Sequence, residues 1–124
     1  MTRIIDIGGK QVEMHSNAAT PIYFKHIFRD DIIRHLNSDE DGATRTEVVM
    51  QLAFVLAMQA IKTSGELRKL QEAQYIEWLE RFEYSDLISV HADVIALYLG
   101  LDPDELRGTV EGDEKNAQGE QSES

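Results

Sequence analysis

The run from Val48 to Ile61 constrains this chain most. Twelve of its fourteen residues are apolar, and only Gln51 and Gln59 interrupt it. Thr44-Arg45-Thr46-Glu47 stands just before it. That spacing predicts a capped helix start, with Thr44 and Glu47 satisfying each other's backbone donors. A bilayer span needs roughly 20 predominantly apolar residues. This run is shorter and carries two amides, so the expectation is a buried helix and not a membrane anchor. A helix apolar on every side must be covered on every side. Either the rest of a small domain wraps it, or a second subunit does.

The rest of the chain supplies modest cover. Arg3-Ile4-Ile5-Asp6-Ile7 and Gln11-Val12-Glu13-Met14-His15 flank Gly8-Gly9. Period-two alternation around two glycines predicts a hairpin over about residues 3–15. A lone hairpin is marginal in water and must lie on something else. Thr20-Pro21 reads as a cap followed by proline at the first helical position. Ile22, Tyr23, Ile27, Phe28, Ile32, Ile33 and Leu36 then recur at helical spacing, predicting one helix to about Asn37. After Val48–Ile61, Gly65 is a plausible stop. A third helix is expected from Glu66 to about Phe82, and a fourth from a Ser85 cap to Gly100, with Leu87, Val90, His91, Val94, Leu97, Tyr98 and Leu101 as its buried stripe. Asp102-Pro103-Asp104-Glu105 reads as one more capped turn. The fold class expected is mainly α with a small N-terminal β-hairpin, with about four helices in a single domain over residues 1–106.

Residues 107–124 differ. Val110 and Ala117 are their only apolar side chains, too few to offset ordering entropy, so a disordered acidic tail is expected. The chain carries 12 Lys and Arg against 23 Asp and Glu, a net of -11. Asp102 to Ser124 contributes eight acids and two bases, or -6 of that total. Phosphate backbones and anionic membrane surfaces reward the opposite sign, so neither nucleic acid nor membrane is an expected partner. There is no cysteine, which removes disulfides and Cys-ligated metal sites and suits a reducing compartment. Met1 to Asp6 lacks the basic-then-apolar layout of a secretory signal.

Chemistry is sparse. No Gly-rich phosphate loop or nucleophile elbow occurs. His26 with Asp30, and Asp31 with His35, lie four apart and share helix faces, which would suit a divalent metal or acid–base work. The two pairs point away from each other, however, so two exposed His–Asp pairs are the simpler reading. His91 falls on a buried stripe as a core or interface histidine. No enzyme activity, cofactor or metal is therefore expected. Tyr75, Trp78, Phe82 and Tyr84 form an aromatic group, either core or partner anchor. The candidate surface for self-association and client contacts is Val48, Leu52, Phe54, Val55, Met58, Tyr75, Trp78 and Phe82. Aspartate at Phe54 or Val55 is expected to abolish assembly.

The layout also carries a resemblance. Ile5-Asp6-Ile7-Gly8-Gly9-Lys10 leads into Ala19-Thr20-Pro21-Ile22-Tyr23-Phe24-Lys25, then Phe28-Arg29-Asp30-Asp31-Ile32. This resembles the tail assembly chaperones of long-tailed phages and prophages of Gram-positive bacteria. The likeness covers residues 4 to 101 and is densest up to Ile32. It implies binding of the tape measure protein, recruitment of tail tube protein, homo-oligomers, action in the bacterial host cytoplasm, and absence from the finished virion. The family often makes a longer form by programmed frameshifting, and Glu114-Lys115-Asn116 is compatible with a slippery codon run. A small acidic secretion chaperone or antitoxin-like adaptor is the alternative, since it shares the acidity and self-association.

Overall fold

The computed structural model describes residues 1–38 and 41–105. Strands β1 (Thr2–Ile7) and β2 (Lys10–His15) pair antiparallel, with Ile7 opposite Lys10, Ile5 opposite Val12 and Arg3 opposite Met14. Gly8 and Gly9 turn the hairpin with φ of 60° and 89°. Both values are left-handed, as a two-residue type I′ turn requires. Asp6 accepts the Gly9 N–H at 2.7 Å and locks the turn. The alternation works as the sequence predicts: Ile5, Ile7 and Met14 are buried, while Ile4, Asp6 and Glu13 face solvent.

Each of the four predicted helical segments is present, but three are broken in two. The first gives α1 (Thr20–Phe28) and α2 (Ile32–Leu36). The break is local chemistry. Arg29 takes the left-handed conformation at φ 55°, and Asp31 caps α2 by accepting the Ile33 N–H at 2.9 Å. Thr20 is not the cap of α1; Ala19 holds that position and Thr20 points into the core. The second segment is the unbroken α3 (Gly42–Ile61). It starts earlier than Thr44–Glu47 implies, because Asp41 caps it by accepting from the Thr44 N–H and hydroxyl. The third segment becomes α4 (Ser64–Leu67) and α5 (Glu72–Leu79). Gly65 lies inside α4; α3 stops because Thr63 and Glu66 form a reciprocal capping box for the next helix. The fourth becomes α6 (Tyr84–Ser89), with Glu83 and not Ser85 at its N-cap, and α7 (His91–Leu99). Gly100 closes α7 at φ 74°, with the Leu101 N–H returning to the Ala96 carbonyl, a Schellman-type stop. At the turn beside Pro103 the Asp102 carboxylate accepts the Asp104 N–H, and the Glu105 carboxylate accepts the Asp102 N–H. The expected tail, 107–124, lies outside the described residues.

The core answers the question posed by α3. From Val48 to Met58, nine of eleven residues are buried, and the cover comes from the chain itself. The hairpin lies on one side, α1 and α2 on another, and α5, α6 and α7 on the rest. Among the described residues no helix is long and apolar enough to cross a membrane.

Candidate functional site

The eight residues expected to form a partner surface do come together, but inside the chain. Val48, Leu52, Phe54, Val55, Met58, Tyr75 and Trp78 are all buried, and only Phe82 keeps partial exposure. This corrects the expectation drawn from the apolar run. Breaking the flanking segments into short helices lets them fold around α3, so it needs no second subunit to leave water. Aspartate at Phe54 or Val55 would place an unpaired charge in the core of the monomer.

The aromatic group is a ladder of edge-to-face contacts. Phe54 meets Tyr75 at 5.6 Å and Trp78 at 5.8 Å, and Trp78 meets Phe82 at 4.9 Å. Phe28 extends it to Tyr75 at 5.0 Å, and Phe24 adds a tilted contact with Phe28 at 5.2 Å. Burial pushes the Tyr75 phenol upward, helped by Glu47 and Glu72 nearby. Tyr84, grouped with these rings by sequence, is instead exposed.

The histidine–aspartate pairs are rearranged. Asp30 lies just after the αL residue, so it turns to His35 Nε2 and to Arg34 at 2.8 Å. Asp31 caps α2, and His26 Nε2 contacts the Arg68 carbonyl at 2.6 Å. Burial works against ionisation of Asp30, but His35, Arg34 and the Asp31 N–H outweigh it and hold the carboxyl below its ordinary value. Among the described residues no group of three or more His, Cys, Asp or Glu is placed to hold a metal ion. His91 is half-buried, burial lowers its pKa, and its Nε2 is buried without a hydrogen-bond partner.

The surface itself offers an apolar groove that sequence periodicity did not isolate. β2 from Lys10 to Glu13 forms one wall, and Trp78, Arg81 and Phe82 the other. Met58 and Ile61, at the end of α3, line its floor. The groove encloses about 340 Å³. Ile61 is 69% exposed. Lys10 lies across one end, its ammonium 5.2 Å from the Phe82 ring centre and donating to the Arg81 carbonyl. The sequence signal was available in part: Ile61 ends the apolar run, past the reach of the elements that cover Val48–Met58.

No protein-family model, curated protein or solved structure matches this chain.

Proposed function

We propose that this chain is a tail assembly chaperone, which binds the tape measure protein of a long-tailed phage or prophage and helps recruit tail tube subunits. The observation that carries this reading is the sequence resemblance running from the hairpin through Ala19–Lys25 to Phe28–Ile32. Physical properties support it. Holding a long client in solution needs charge, and the chain has a net of -11. It also needs accessible apolar side chains, and Ile22, Ile61, Ile76 and Tyr84 are each at least half exposed. In this reading the chaperone self-associates, acts in the bacterial cytoplasm and leaves before the virion is complete.

The test is co-expression of the tagged chain with the tape measure protein from the same locus. The expected result is a soluble complex that co-elutes, with the tape measure protein insoluble when expressed alone. Both proteins soluble, folded and separate would overturn the reading and favour an acidic secretion chaperone or antitoxin-like adaptor. An immunoblot of the native locus adds an independent check: a minor longer product, out of frame near the acidic end, is expected.

A further inference from the structure

We propose that the groove between β2 and α5 is a strand-addition site, which takes an extended peptide with alternating apolar side chains and a basic end. The peptide pairs with the free edge of β2, sets its apolar side chains against Met58, Ile61 and Trp78, and directs its basic end toward Asp86. The inference does not depend on the tail-assembly reading.

The edge comes first. A two-residue I′ turn makes Ile7 and Lys10 a hydrogen-bonded pair. Alternation along the ladder then turns the backbone groups of Lys10, Val12 and Met14 toward β1, and those of Gln11 and Glu13 away from it. Among the described residues no strand pairs with β2 on that other side, and Gln11 and Glu13 line the groove with Lys10 and Val12. Proteins usually guard such edges with proline, a bulge or an outstretched lysine. Lys10–His15 contains no proline and pairs without a bulge. Its one lysine is folded down onto the Arg81 carbonyl and the Phe82 ring.

The unpaired edge selects a strand. The four residues of β2 along the groove span about 13 Å, and Val12, Phe82 and the exposed Ile61 give the side chains of an added strand apolar partners beside it.

Charge selects the basic end. Past Lys10, Arg81 and Phe82 the groove opens into a smaller depression of about 190 Å³, rimmed by Glu80, Glu83 and Asp86. Lys10 and Arg81 stand there against three carboxylates, so the local balance is still negative. The whole chain adds a negative field that favours a cationic ligand.

The test uses the sole tryptophan, Trp78, as the reporter. The probes are synthetic nonapeptides of alternating threonine and valine, ending in two lysines or two glutamates, plus a lysine-ended copy with alternate backbone nitrogens methylated. The expected result is a saturable change in Trp78 emission with the first peptide, weakened about tenfold or more for the other two. Ile61→Asp, at an exposed site, should weaken it similarly with an unchanged circular dichroism spectrum. Glu13→Pro should do the same by removing an edge N–H; should that variant fail to fold, Ile61→Asp and the methylated peptide decide. No saturable change would overturn the proposal. So would equal binding of the methylated or glutamate-ended peptide, unaltered binding to Ile61→Asp, or tighter binding of a lysine-ended helical peptide.

Discussion

The hydroxyl of Thr20 is fully buried and donates to the side-chain oxygen of Gln59 at 2.7 Å, while accepting the Asn17 N–H at 3.1 Å. One of the two amides that interrupt the apolar run thus anchors the start of α1 to the end of α3. Gln59 also donates to Asn17 at 3.1 Å, closing a small polar network at the rim of the core. Thr20→Val keeps the shape but orphans its partners, and should cost about 1–3 kcal/mol. Thr20→Ser keeps the hydroxyl and should cost about 1 kcal/mol for the lost methyl. Urea unfolding of the two variants checks this; no loss of stability in Thr20→Val would mean that the hydrogen bonds contribute nothing.

Gly8 is needed for two reasons that can be separated. Its φ of 60° is strained for any residue with a Cβ, worth about 1–2 kcal/mol. A Cβ there would also stand 2.2 Å from Asp86 Oδ2. Gly9, at φ 89°, has open space around it. Gly8→Ala should therefore lower the melting temperature more than Gly9→Ala. Adding Asp86→Ala to Gly8→Ala should recover the steric part and leave the backbone part. A double-mutant cycle with no coupling would show that the turn and α6 do not meet in solution.

The burial of Val55 shows where sequence reasoning reached its limit. The hairpin was legible because a period of two around Gly-Gly has few alternatives. The helical segments were legible from their apolar spacing. The breaks were not, because Arg29 takes a left-handed conformation that propensity does not forecast, and Asp30 and Asp31 spend their carboxylates on local N–H groups. Without those breaks the flanking segments offer α3 less cover, and a second subunit stands as an equal candidate for the rest. The groove was illegible for the same reason: it depends on how α5 stands beside β2, and no periodicity encodes that.

Val55→Asp consequently tests folding and not assembly. Val55 is wholly buried, and an unpaired carboxylate there should cost several kcal/mol, a large share of the stability of a domain this size. The expected outcome is loss of the cooperative thermal transition in the isolated chain. A folded Val55→Asp variant that had lost only self-association would restore α3 as a subunit interface.

Asp30 should make the protein acid-labile. Its carboxyl is held below the ordinary value of 3.8, so the unfolded chain binds its proton first as pH falls. The stabilisation is complete above about pH 4 and is lost as pH falls through the lowered folded value. The exposed caps Asp41 and Glu66 are lowered by their backbone hydrogen bonds and act with the same sign. Asp30→Asn should destabilise at pH 6 and flatten the decline below pH 4. Melting temperatures from pH 2.5 to 6 measure both effects; parallel curves for the variant and the parent would remove Asp30 from the account.

His91 should act in a different window with its own sign. Burial lowers its pKa from 6.5, and its Nε2 has no hydrogen-bond partner in the described structure. The folded state therefore prefers neutral imidazole. Below pH 6.5 the unfolded chain takes up the proton more readily, so stability falls as pH drops from 6.5 toward the lowered folded value. His91→Leu removes both the titration and the orphaned nitrogen. It should equal or exceed the parent at pH 7 and gain on it at pH 5.5, after allowance for the carboxylates. If the two proteins keep a constant difference in melting temperature across that interval, His91 carries the same charge folded and unfolded, and its ring is in contact with water.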